Sequence, residues 1–241
     1  EDLPGFRRTL SGALRSVLFL SLPASVGLIV LGGPLVATIY QHGRWTADDT
    51  LATTWALRFF ALGLAGFALQ EVLARAFYAL RDTVTPVIVA VGGMLLNVAL
   101  SLILIRVIQG QHSDFGLLID PLRSLSLWIV PVGEGPFGGL ALANALATTV
   151  ESGALWLLLR RRLKGLDDRT MLGMLARALL ASLAMGGLVL PVGALLGNRS
   201  PLLVLGLGTG VGLVSFEVLA LALRLPEARS MPSMLLRRIR R

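Results

Sequence analysis

Apolar residues run in long blocks broken by short polar turns, and six blocks are long enough to cross a bilayer as helices, which takes about 20 residues each. The pattern places spans at about Leu14–Tyr40, Leu51–Ala79, Pro86–Ile108, Phe137–Leu159, Met171–Leu196 and Leu202–Leu223. Pro23 and Pro34 fall inside the first span, where they predict kinks whose freed carbonyls find partners on neighbouring helices. Ahead of it, Leu3, Phe6, Leu10 and Leu14 recur at helical spacing against Arg7, Arg8 and Arg15, which predicts an interfacial lead-in helix. The Gln41–Thr50 turn offers Thr46 or Asp48 as a cap for the second span, and Pro86 suits the first turn of the third. The least regular stretch, 109–136, contains an apolar middle (122–130) too short to span, which predicts an interfacial or re-entrant turn on the outer side.

Charge gives the spans an orientation. With the N-terminal end inside, alternation puts roughly 17 of the 22 Lys and Arg residues on the cytoplasmic side. Arg44, Arg58, Arg106, Arg123 and Arg199 fall outside or near the outer ends. By the positive-inside rule both ends of the chain are expected in the cytoplasm. The net charge of +8 therefore belongs to membrane topology rather than to nucleic-acid binding. A hydrophobic fraction of 55% against 15% charged residues, with mean hydropathy +0.77, excludes an ordinary water-soluble domain. Cysteine is absent, which excludes disulfides and thiol catalysis. The chain opens Glu1-Asp2-Leu3-Pro4 without a starting methionine, and the expectation is a piece of something longer.

No residue pattern points to an enzyme. His42 and His112 lie in separate loops without metal-ligand spacing, and the glycines sit within apolar helices rather than in a phosphate loop. Gly206, Gly208, Gly210 and Gly212 form small-xxx-small spacings in the sixth span, fit for close packing or for a mobile helix. Polar groups within the spans carry more information, because lipid makes them costly. Glu71 and Arg75 are one turn apart, and two readings stand: a neutralised pair, or a guanidinium facing a cavity for an anionic, phosphate-bearing substrate. Arg58 is expected to reach toward the membrane surface. Asn97 and Ser101, one turn apart, and Asn144 are candidates for interhelical hydrogen bonds or for holding a small cation. Glu151 and Glu217 are single acids within spans, open to proton relay or to burial as neutral carboxyls.

Several blocks carry a resemblance. Leu18–Ala24, Gly33-Pro34-Leu35, Gln41–Thr46, the run Leu73–Pro86 (Leu-Ala-Arg-Ala-Phe-Tyr-Ala-Leu-Arg-Asp-Thr-Val-Thr-Pro), Asn97 and Gly138–Ala143 resemble the MurJ (MviN-type) lipid II flippases of the MOP exporter superfamily. The resemblance covers about residues 5–160, and the last two spans match in hydropathy and position. It implies an all-α integral membrane fold, about six transmembrane helices forming the latter part of a two-lobed transporter of about fourteen spans. Residues 1–160 would belong to the C-terminal lobe, with 161–241 adding two helices and a basic cytoplasmic tail. The implied activity is translocation of lipid-linked peptidoglycan precursor across the bacterial cytoplasmic membrane by alternating access.

The same resemblance assigns Arg75 to a cavity-facing, substrate-binding position. It assigns Asn97, Ser101 and Asn144 to a cation site in which Ser101 stands where an acid can occur, and it gives the last two spans a groove for the prenyl tail. No cofactor is implied beyond coupling to a monovalent cation or to the membrane potential. Expected partners are the lipid-linked precursor, bilayer lipids and the N-terminal lobe of the same protein. The competing expectations are a flippase or exporter of another polyprenyl-linked saccharide, and a non-transporting membrane scaffold.

Overall fold

A computed structural model of the chain describes residues 3–108, 137–163, 165, 168–196 and 200–228. Among these, six helices are long and apolar enough to span a membrane: α1 (Leu3–Tyr40), α2 (Ala47–Ala79), α3 (Val84–Ile108), α4 (Phe137–Arg162), α5 (Asp168–Leu196) and α6 (Pro201–Ala222). The protein is a multi-pass, all-helical membrane protein. The 109–136 connection with His112, and the Arg237–Arg241 tail, lie outside the described residues.

The helices do not pack in chain order. α1 contacts α2, α5 and α6, whereas α4 contacts α2 and α3. The row therefore runs α5/α6, α1, α2, α4, α3, and α3 leans on α4 although it follows α2 in sequence. Val84, Val87, Ile88, Val91, Met94, Leu95, Val98 and Leu102 form an exposed apolar stripe along α3, as a helix bordering lipid or further protein requires.

The first helix corrects one expectation. Residues 3–14 are not a separate interfacial segment but the first turns of a continuous 38-residue α1. At 1.5 Å per residue it is about 57 Å long, well beyond the hydrocarbon thickness of about 30 Å. Its overhang is kept helical by packing: Leu10 and Leu14 are buried against Leu73 and Phe77 of α2 and Leu155 and Leu159 of α4. Leu10 and Leu14 of the stripe thus face the core, Phe6 packs against it, and Leu3 stays exposed. A second cluster joins the other half, with Leu18 and Phe19 of α1 against Met174, Ala178 and Met185 of α5 and Phe216 of α6. The Phe19 and Phe216 rings meet at 5.2 Å between centroids.

The turns are built by local chemistry. Thr46 caps α2: its hydroxyl accepts from the Asp49 N–H at 3.2 Å, and the Asp49 carboxylate accepts the Thr46 N–H at 2.9 Å. Gly43 holds φ +63, and Trp45 stacks on Tyr40 while its indole N–H donates to Thr50 Oγ1 at 3.0 Å. At the other end of α2, Asp82 accepts from the Thr85 backbone N–H (3.0 Å) and hydroxyl (2.8 Å), which fixes the start of α3. Arg162 at the end of α4 also donates to Asp82. One carboxylate thereby ties α3 to the basic end of the helix it packs on.

Candidate substrate-facing and polar sites

α2 presents an exposed stripe of Phe60, Phe67, Glu71, Arg75 and Tyr78, opposite the residues it buries against α1 and α4. Arg75 donates to Glu71 Oε1 through Nη2 at 2.6 Å and through Nε at 3.1 Å. Both side chains are open, 75% and 66% exposed, so the pair is not locked into the core. Exposed ion pairs contribute only about 0–1 kcal/mol, and this one can therefore exchange for a better anion. Arg75 stands one turn before the end of α2. Its planar fork suits a phosphate there.

Ser101 donates to Asn97 Oδ1 at 3.1 Å on α3. Asn144 lies on α4, the helix that α3 packs against, and its Oδ1 is buried without a hydrogen-bond partner among the described residues. Neutral oxygens of this kind suit a monovalent ion better than a transition metal. Among the described residues no three His, Cys, Asp or Glu side chains gather as a metal site would require.

Glu151 is buried on α4, and its Oε1 accepts from Gln70 Nε2 of α2 at 2.6 Å. Glu217 is half-buried on α6, which packs on α1 and α5 rather than beside α4. The acids singled out in the sequence thus fall into separate places: Glu71 with Arg75, Glu151 at the α2–α4 contact, and Glu217 in the other half.

Arg58 differs from expectation. Its guanidinium does not run along the helix to the surface; Nε donates to the Ile29 carbonyl of α1 at 2.9 Å. Pro34 lacks the N–H that would bond four residues back, which loosens the carbonyl ladder in this part of α1. Thr54, one turn from Arg58, packs its methyl against Gly32 and Gly33. The carbonyl that Pro34 leaves free is that of Val30, so the proline did not signal the Arg58–Ile29 contact.

The comparisons carry the same assignment. Residues 1–117 match the family model described as lipid II flippase MurJ. The probable lipid II flippase MurJ of Haemophilus influenzae is 30% identical over 188 residues, covering 76% of this chain and 31% of that protein. The lipid II flippase MurJ of Thermosipho africanus is 32% identical over 158 residues, 66% of this chain and 27% of that protein. A solved structure, the lipid II flippase MurJ in its inward closed conformation, superposes with a TM-score of 0.66 at 25% identity, covering 92% of this chain and 40% of that one. The chain belongs to the MurJ family. It spans about a third of the length of these curated relatives, and the MurJ family consists of transporters rather than enzymes.

Proposed function

We propose that the chain is the C-terminal part of a flippase that moves lipid-linked peptidoglycan precursor across the bacterial cytoplasmic membrane. The observation that carries this is Arg75: a guanidinium on the exposed stripe of a spanning helix, one turn from its end, in an exposed pair with Glu71. Incoming diphosphate would displace Glu71 and take the fork bidentately, and the aromatic residues of the same stripe would flank it. An N-terminal lobe of the same protein completes the cavity, and rocking between lobes exposes the headgroup to one side and then the other. Both chain ends sit in the cytoplasm, as the basic end of the bundle supports: Arg7, Arg8, Arg15, Arg75, Arg81, Arg160, Arg161, Arg162, Arg169, Arg177 and Arg224 lie toward it, against Arg44, Arg58 and Arg106 toward the other end among the described residues.

Helices α1–α4 form the lobe, and α5 and α6 are an appended pair attached through α1. Asn97, Ser101 and Asn144 supply oxygens for a coupling monovalent cation at the α3–α4 contact. The test is complementation by the full-length gene. Arg75→Ala abolishes rescue in a flippase-depleted cell while the protein still accumulates, and Arg75→Lys retains part of it; wild-type rescue by Arg75→Ala would reduce Arg75 to a structural partner of Glu71.

A further inference from the structure

Three helices converge on the Glu151 carboxyl. On α2, the ridge Gly63, Gly66, Gln70 lies against α4 so closely that a Cβ on Gly63 would stand 2.7 Å from the Ala145 Cα, and one on Gly66 3.2 Å from the Thr149 Cα. That approach brings Gln70 within 2.6 Å of Glu151 Oε1. On α3, Gly93 meets the other oxygen: a Cβ there would stand 2.6 Å from Oε2. The carboxyl is 9% exposed, and its hydrogen-bond partner among the described residues is a neutral amide.

Among the described residues the surroundings supply no countercharge. From α2, the charged groups nearest in sequence are Glu71 and Arg75, which sit on the exposed stripe and bond each other, and Arg58, which turns to α1. From α3, no residue between Val84 and Leu104 is titratable. On α4 itself the next charge is Arg160, nine residues on, and Arg161 and Arg162 lie beyond it. Arg7, Arg8 and Arg15 of α1, and Asp82, lie at the basic end. An ionised carboxylate in such a place is costly by several kcal/mol, whereas a protonated one is not.

We infer that Glu151 is a proton-binding site whose proton holds α3 against α4. Among the described residues α3 has one substantial neighbour, α4, and is otherwise fastened by Asp82 at its base. While α3 covers Oε2 the carboxyl stays neutral. Loss of the proton leaves a charge that only water can satisfy, so ionisation favours α3 lifting from Gly93's contact. Low pH closes the α3–α4 seam and high pH opens it, whatever the transported substrate; the inference is independent of the proposed function.

The chain contains no cysteine, which permits spin labels at introduced cysteines alone. Val98→Cys on α3 and Leu157→Cys on α4 are both exposed positions. In the full-length protein in lipid nanodiscs, with any cysteine elsewhere replaced, the interlabel distance is read from about pH 5 to about pH 9, a range above the ordinary glutamate value. The expected result is one short distance at the acid end and a growing longer population at the alkaline end. Glu151→Gln, neutral at every pH, keeps the short distance throughout. Gln70→Ala removes the donor that favours the charged form and moves the transition to higher pH. A distance that does not respond to pH in the wild type, or a response that survives unchanged in Glu151→Gln, overturns the inference. Should Glu151→Gln fail to fold, an unmoved transition in Gln70→Ala does so instead.

Discussion

Arg81 and Arg224 occupy the left-handed region, with φ 57 and 53, directly after α2 and α6. Each closes its helix in the same way: Asp82 N–H donates to the Phe77 carbonyl at 3.0 Å and Leu225 N–H to the Ala220 carbonyl at 2.9 Å. Glycine is the usual residue at such a turn, and an L side chain there costs about 1 kcal/mol. An arginine in that place adds a cation beside the carbonyl end of the helix and to the basic end of the bundle. Arg81→Gly should therefore raise the melting temperature in detergent, by the equivalent of about 1 kcal/mol, and Arg81→Val should lower it; equal melting of all three would contradict the strain. Next door, the Thr85 backbone N–H, then the Thr85 hydroxyl and Arg162, hold the Asp82 carboxyl below the usual carboxylate range. A lowered folded value means the contribution is complete above the unfolded value of about 3.9 and is lost as pH falls through the folded one. On acidification, melting of the wild type should thus fall more steeply than that of Asp82→Asn. Parallel curves would show that Asp82 does not contribute. The sequence offered Thr46 or Asp48 as the cap of α2, and the structure uses Thr46, with Asp49 returning the bond. The two left-handed arginines were not legible, because nothing in an Arg codon-by-codon pattern of a basic loop signals backbone hand.

At the scale of elements, lipid tails are as apolar as leucine, so close approach rather than water exclusion holds spanning helices together. The α2–α4 contact shows how. Gly63 meets Ala145 backbone, and Gly138 lies flat on the Trp55 ring, where an added Cβ would come within 2.0 Å of the indole. Trp55 is buried and meets Phe59 edge-on at 5.1 Å, so it has little room to yield. Gly63→Ala and Gly138→Ala should each cost about 1–3 kcal/mol by forcing the helices apart. Gly153→Ala, on the same α4 with open space beside it, should be neutral or stabilise by up to about 1 kcal/mol. Thermal melting of the three variants in one detergent checks the ranking, and a destabilised Gly153→Ala would break it. Apart from the start of α1, eleven residues earlier than hydropathy placed it, the spans were legible to within a few residues. Their neighbours were not, since apolar blocks carry no record of which helix each faces; the placing of α4 between α2 and α3 rests on glycines that a sequence scan reads only as packing residues. In α6 the four glycines divide: Gly208 abuts Leu31 of α1 and Gly212 contacts α5, while Gly206 and Gly210 face open space.

At the scale of the molecule, two halves meet on α1: α2, α4 and α3 on one side, α5 and α6 on the other. The half holding α2–α4 carries the exposed Arg75–Glu71 pair and the Asn97–Ser101 bond, with Glu151 and the Asn144 Oδ1 buried inside it. Within its spans the other half carries Arg177, Ser182, Thr209, Ser215 and Glu217. The sequence divided the chain at residue 160 from its resemblance alone, whereas the linking role of α1 depends on its buried overhang, which hydropathy assigned to the membrane surface. The central claim is that this chain serves a carrier of lipid-linked peptidoglycan precursor. Its most direct test measures lipid II reaching the outer leaflet in cells depleted of their own flippase and supplied with the full-length gene or with the 241-residue chain alone. The account predicts restored translocation by the full-length protein, loss with Arg75→Ala, and none by the chain alone; a well-expressed full-length protein that leaves lipid II on the inner face would contradict it.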